Sequence, residues 1–174
     1  MKGIILAGGL GTRLNPLTKV ASKQLLPVYD KPLIYYPLST ILLANIRDVL
    51  IITAPSQISR FEELLGNGDE FGIKISYKVQ QKPTGIAESL ILGENFLSGD
   101  KSALVLGDNI FHGPRLGRNL ESFNRVKGAQ IFGYHVNDPS PYGIATVSGD
   151  GKVTNLEEKP RNSESKIAIP GLYF

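Results

Sequence analysis

The chain has 174 residues, 41% of them hydrophobic, and its 19 Lys and Arg against 16 Asp and Glu leave a net charge of +3. That length suits one globular domain burying roughly 70% of its unfolded surface, and basic residues so scattered argue against a nucleic-acid partner. No cysteine occurs, which excludes disulfides and thiolate metal sites. No apolar run approaches the roughly 18 residues of a membrane helix, and the opening run ends at glycines and Arg13, short of the roughly 7–15 residues of a signal core. A cytoplasmic protein with no membrane partner is expected.

In chain order, periodicity predicts a strand over 2–7, a helix over 32–44, a strand over 49–53, a helix over 56–65, a strand over 74–79, a helix over 84–96 and a strand over 103–106. This alternation implies an α/β fold, Rossmann-like, with a mostly parallel sheet flanked by helices. After about residue 128 the texture changes to short strands over 129–136, 144–147 and 153–156, with Gly149-Asp150-Gly151 as a hairpin-like turn. An antiparallel region is predicted there, carrying a second substrate.

The most informative stretch follows the first strand: Gly8-Gly9-Leu10-Gly11-Thr12-Arg13. Glycines let successive backbone N–H groups point at one anion, and Arg13 adds a permanent charge with a planar fork of donors, so the loop reads as a phosphate cradle. A Walker loop is excluded, because Gly-Lys-Ser/Thr is absent from its end. A dinucleotide fingerprint lacks its third glycine, Leu14 standing there, and lacks the acidic residue that closes a second strand. A plain strand-to-helix turn is the remaining alternative.

Lys23-Gln24-Leu25-Leu26-Pro27 comes next, and a lone lysine in such a loop is ordinarily a solvated charge. Lys31-Pro32, Lys82-Pro83 and Lys159-Pro160 each place a lysine before proline, hence in a loop or at an element boundary; Lys31 is expected to be solvated. Gln80 and Gln81 precede Lys82-Pro83-Thr84-Gly85, with Thr84 a candidate helix cap. Asp108 ends an apolar strand through one glycine, suiting either a turn or an oxygen ligand for magnesium, which commonly takes only one or two protein carboxylates. Asn109 either orients that carboxylate or caps the next segment. Glu157 and Glu158 close a strand before Lys159, as a solvated pair or as acceptors for hydroxyls. His112 and His135 have no partner at metal spacing and read as structural.

Together the glycine loop and the Lys23–Pro27 segment resemble the signature of the sugar-nucleotide pyrophosphorylases. With Tyr29-Asp30-Lys31-Pro32 the second segment resembles the glucose-1-phosphate thymidylyltransferase branch in particular. The likeness continues in the family's order through Gln80–Glu88, Leu104–Gly113, Tyr142-Gly143, Glu157–Pro160 and Gly171–Phe174. Ile86, Glu88 and Ser89 depart from the common form of the Gln80 segment, which loosens the expectation about the base.

The resemblance implies the nucleotide-diphospho-sugar transferase fold and a Mg2+-dependent attack of glucose 1-phosphate on the α-phosphorus of dTTP. The products would be dTDP-glucose, on the way to dTDP-rhamnose, and pyrophosphate. It implies a nucleotide site of Gly8, Gly9, Gly11, Thr12, Arg13, Gln24, Gln80, Pro83, Gly85 and Asp108. A sugar-phosphate site would comprise Asn109, Gly143, Glu158, Lys159 and Ile169, with Arg13, Lys23 and Lys159 catalytic and Asp108 on the metal. It further implies a homo-oligomer, a homotetramer in the family, and a catalytic domain over 1–174 that is incomplete at its C-terminus, since the family's chains continue to a second magnesium-binding aspartate and to helices used in oligomer contacts. The alternatives are a related enzyme using UTP or another sugar 1-phosphate, and a binding module that holds a sugar nucleotide without turnover.

Overall fold

A computed structural model describes residues 1–9 and 11–174; Leu10, inside the predicted glycine loop, lies outside the described residues. The chain begins with β1 (Lys2–Ala7), followed after the glycine loop by a small antiparallel ribbon, β2 (Pro27–Val28) and β3 (Lys31–Pro32). Next come α1 (Tyr35–Leu43), β4 (Asp48–Thr53), α2 (Ile58–Leu65), β5 (Lys74–Val79), α3 (Glu88–Leu92), α4 (Glu94–Leu97), β6 (Ser102–Leu106) and α5 (Leu116–Ser122). The rest is β7 (Tyr134–His135), β8 (Gly143–Val147), β9 (Val153–Glu158), β10 (Ile167–Ala168) and β11 (Leu172–Tyr173).

The main sheet has the order β11-β6-β1-β4-β5. β6, β1, β4 and β5 run parallel, and β11 returns antiparallel along β6 with Leu172 opposite Val105. Strands buried on both faces read as continuous apolar runs, which is why β1, β4 and β6 show little alternation. Ile5, Val49, Ile51, Ala103 and Val105 pack on one face with Leu38 and Ile41 of α1, Phe61 of α2 and Leu120 of α5. Ile4, Leu50, Ile52 and Leu104 pack on the other against Leu92, Phe96 and Leu97. A second sheet, ordered β7-β10-β8-β9, is antiparallel throughout. The predicted turn joins β8 to β9, with Gly151 at φ +83° and its N–H on Ser148 O at 2.9 Å.

Three predicted elements differ from the structure. The helix expected from Pro32 begins at Tyr35, because Lys31 and Pro32 pair with Val28 and Pro27. The helix expected from Thr84 begins at Glu88: Gly85 sits at φ +123°, and the Thr84 hydroxyl donates to the Glu88 carboxylate instead of capping a backbone N–H. The strand expected over 129–136 shrinks to a single bridge from Ile131 to Tyr173 and the two residues of β7. α5 was not predicted, although Leu116 and Leu120 lie one helical turn apart and the second is fully buried.

Ile5 is fully buried in the central strand, so Ile5→Ala leaves a cavity bounded on both sides by paired strands. A loss of about 3 kcal/mol is expected, read as a lower urea midpoint with an unchanged slope; a loss under about 1 kcal/mol would mean that the sheet collapses around the gap.

Candidate functional site

The order of strands reverses beside β1: the chain builds outward from β1 to β4 and β5, then crosses back to lay β6 on the other flank. The crevice beyond the carboxyl ends of β1 and β6 is therefore open, as at other switch points of parallel sheets. Gly8 leaves β1 at this place and Gly107 leaves β6, its N–H bonded to Leu6 O at 2.9 Å. Two cavities open there. One, of about 200 Å³, is lined by Gly9, Gly11, Thr12, Arg13, Lys23, Gln24 and Asp108. The other, of about 500 Å³, includes Asp108, Asn109, Tyr142, Gly143, Glu158, Ile169 and Gly171 in its wall. Asp108 belongs to both.

The glycine loop is shaped by close approach. Gly11 has φ +60°, and a Cβ there would come within 2.9 Å of Thr18 Cγ2 while the Thr18 hydroxyl bonds Gly11 O at 3.0 Å. Thr12 to Leu14 then make a single 3-10 turn that leaves Arg13 exposed and, among the described residues, without a carboxylate partner. Such an arginine is free to meet an anion.

Lys23 reaches the site from a second short turn, Lys23–Leu25, that is clamped on several sides. Ser22 N–H donates to Gln57 Oε1 at 3.1 Å, Arg60 donates to Val20 O, and Ile34 N–H donates to Gln24 O at 2.8 Å. Buried Gln24 accepts the Ser22 hydroxyl at 2.5 Å and lies against Gly107. From this base Lys23 Nζ meets Asp108 Oδ2 at 2.8 Å. Asn109 Nδ2 donates to the other carboxylate oxygen at 2.8 Å, and Asn109 Oδ1 accepts Gly171 N–H at 3.0 Å. Asn109 thus orients the carboxylate and ties the return strand β11 to it. Gln57 and Ser22 were not candidates from sequence, because nothing in their spacing announces a clamp across 35 residues.

Burial pushes the Asp108 carboxyl up, but the Lys23 hydrogen bond and charge, with the Asn109 hydrogen bond, outweigh it and hold the group below its usual range. The pairing therefore adds stability above about pH 4 that is lost as pH falls through the lowered folded value. The donor set fits magnesium. A half-buried carboxylate at a strand end offers hard oxygen, and the open space on two sides leaves room for the waters and phosphates that complete an octahedral shell. Among the described residues no three His, Cys, Asp or Glu cluster as a protein-built metal cage.

On the far side of the larger cavity, β8 and β9 bring Gly143 opposite Glu158. A Cβ on Gly143 would stand 3.4 Å from Glu158 Oε2, and Gly143 O accepts Ile169 N–H at 2.9 Å. Lys159 takes φ +45°, its N–H bonded to Tyr142 O at 3.0 Å and its Nζ 3.1 Å from Glu158 Oε1. Lys159 is exposed and lies at the rim: it pairs with a lining residue without lining the cavity itself. Tyr142 stacks edge-on with Tyr134 at 6.1 Å, an aromatic wall that sequence reasoning did not propose for either ring.

Gln80 is buried at the end of β5, with its amide against Gly8, while Pro83 and Gly85 are exposed in the loop beyond. None of the three lines either cavity. Lys31 pairs with exposed Asp30, as a solvated lysine does.

The profile of the nucleotidyl transferase family matches residues 2–174. The chain belongs to that family. Among other nucleotidyl transferases, the glucose-1-phosphate thymidylyltransferase of Mycolicibacterium smegmatis is 55% identical across the whole of this chain, which spans 60% of that protein. The enzyme of the same name from Xanthomonas campestris pv. campestris is also 55% identical, over 99% of this chain and 59% of its own length. The chain thus spans about 60% of the curated relatives it matches. A crystal structure from Bacillus anthracis, provisionally assigned the same activity and bound to sucrose, superposes with a TM-score of 0.91 at 41% identity, over 99% of this chain and 70% of that one. A UDP-glucose pyrophosphorylase holding UDP-glucose shares the fold, at a TM-score of 0.83 and 23% identity, over 99% of this chain and 74% of that one. These matches bear out the expected fold, a mostly parallel sheet with an antiparallel region.

Lys23→Met removes both the hydrogen bond and the charge that lower Asp108, so the Asp108 midpoint should move up in a carboxyl 13C NMR titration run in metal-free buffer. An unmoved midpoint would detach Lys23 from that carboxylate.

Proposed function

We propose that this chain is the catalytic domain of a nucleotidyltransferase that joins dTTP and glucose 1-phosphate into dTDP-glucose and pyrophosphate. The observation that carries the reading is the meeting of two cavities at Asp108, one walled by a phosphate-cradling loop and the other by groups suited to a sugar. A glucose ring in the larger cavity would find Glu158 as an acceptor for hydroxyls and Gly143 as open backbone, with Ile169 lining the wall. Lys159 at the rim offers a compact positive charge to the sugar phosphate.

In the reaction an oxygen of the sugar phosphate attacks the α-phosphorus of the nucleotide. A bond forms between them, the bond from the α-phosphorus to the bridging oxygen breaks, and pyrophosphate leaves with that electron pair. The nucleophile is already an anion, so no general base is needed and the work left to the protein is alignment and charge neutralisation. Arg13 and the N–H groups of the glycine loop face the leaving pyrophosphate. Lys23 balances Asp108 before substrate arrives and turns to a phosphate oxygen afterwards. Asp108, with Asn109 fixing its plane, would hold magnesium, which supplies charge neutralisation at the phosphoryl oxygens. Gln80, Pro83 and Gly85 would meet the base. A Gln amide reads an edge that thymine and uracil share, so UTP is the second reading.

Pyrophosphate release by this chain with glucose 1-phosphate and magnesium should be fastest with dTTP in a panel of dTTP, UTP, CTP, ATP and GTP; release fastest with UTP would favour the second reading. Tight dTTP binding with no release would reduce the chain to a nucleotide-binding unit. Arg13→Ala should lower turnover about 100-fold or more while glucose 1-phosphate binding stays within about twofold; equal losses in both would remove Arg13 from the leaving-group side.

A further inference from the structure

Gln80 is held at its backbone N–H and at its side-chain NH2 group. Its backbone N–H donates to Thr53 O at 2.8 Å, which sets the residue at the end of β5, and the residue is only 4% exposed. Gln80 Nε2 donates to Glu88 Oε2 at 2.5 Å. Gln80 Oε1 lies on the opposite side, 2.5 Å from the point where a Cβ on Gly8 would stand. Only a glycine at position 8 leaves that carbonyl its place beside the phosphate-cradling loop.

Glu88 is itself fixed. The Thr84 hydroxyl donates to the same carboxylate oxygen, and the hydrogen bonds from Thr84 first and Gln80 second hold the carboxyl below its usual range. An ionised carboxylate accepts and cannot donate. The Gln80 amide must therefore turn its NH2 group to Glu88, since the reverse orientation would press two acceptors together and leave the amide protons unpaired. Glu88 departs from the family's common form of this segment, and that departure proves to be the immediate partner of the residue assigned to the base.

We propose that Glu88 is a positioning residue for base selection: it locks the Gln80 carbonyl toward the glycine loop, so that the site accepts a pyrimidine with an N3–H donor and rejects cytosine. The inference rests on the reading that Gln80 meets the base. Thymine and uracil carry N3–H beside a ring carbonyl. Gln80 so oriented offers its carbonyl to the N–H and its second amide proton to the ring carbonyl. Cytosine in the same pose sets a bare N3 against Oε1 and an amino group against an N–H, leaving both pairs unmade. A reversed amide would serve cytosine, and Glu88 forbids the reversal. A site built on such paired groups discriminates because a wrong partner leaves polar atoms unsatisfied.

The test compares dTTP, UTP and dCTP binding by titration calorimetry on this chain, as wild type, Glu88→Ala, Glu88→Gln, Gln80→Ala and the Gln80→Ala/Glu88→Ala pair. Glu88→Ala should shrink the preference for dTTP over dCTP by about tenfold, with an unchanged melting temperature. Glu88→Gln should keep most of the preference, because its carbonyl can still accept from Gln80 Nε2. In the Gln80→Ala background the second substitution should change nothing. Side-chain amide NMR gives a readout independent of the nucleotide: one Gln80 NH2 proton should be shifted downfield in wild type and lose that shift in Glu88→Ala. A wild-type preference that depends on Gln80 but survives Glu88→Ala would overturn the lock and spare the base reading. No wild-type preference for dTTP or UTP over dCTP would overturn the base reading and the lock with it.

Discussion

The reversal of strand order beside β1 is the constraint on which the rest of the site depends. Parallel strands have all their carboxyl ends on one edge, and where neighbouring connections leave in opposite directions no loop fills the gap between them. In this chain the gap lies between β1 and β6, and both strands leave it through glycine. Backbone can therefore approach a ligand closely at two points of one crevice. Each later element is attached to that crevice: Lys23 by a turn clamped from α2, Gln80 by the end of β5, and Gly171 by Asn109.

Charge in the crevice is balanced before any ligand enters. Lys23 pairs with half-buried Asp108, and Lys159 pairs with Glu158 at the exposed rim. Arg13 alone among the three proposed catalytic cations lacks a carboxylate partner within the described residues. Arg13 is exposed at the glycine loop, and Lys23 stands in the wall of the same cavity. Preorganised charges of this kind stabilise charge that develops during reaction without having to reorganise at that moment.

The antiparallel sheet contributes a different quality. Gly143 and Glu158 face each other across β8 and β9, and Ile169 joins them through a backbone bond, so this wall of the larger cavity is built from register instead of from loops. Side chains on strands are held by their neighbours' pairing. The smaller cavity, by contrast, stands on short turns whose positions depend on distant clamps such as Gln57 on Ser22.

Much of this was legible in the chain. The apolar runs of β1, β4 and β6 announce buried parallel strands, and Gly8 to Arg13 after the first of them announces a glycine loop ending in an exposed arginine, because backbone freedom and a fixed positive charge are properties of the residues themselves. Gly149-Asp150-Gly151 announces its turn for the same reason. The limits of α1 and α3 were misjudged where a side chain or a strand partner competed with helix: Lys31 and Pro32 found β2, and Thr84 found Glu88. α5 was missed because its apolar positions are few and surrounded by glycine and polar residues. What the sequence determined by itself was the sheet, the glycine loop and the set of charged groups, all of which depend on local pattern and residue chemistry. Tertiary structure alone decided that Asp108 joins two cavities, that Lys23 rests on it, and that Glu88 faces Gln80, because each depends on packing between segments that the chain does not set side by side.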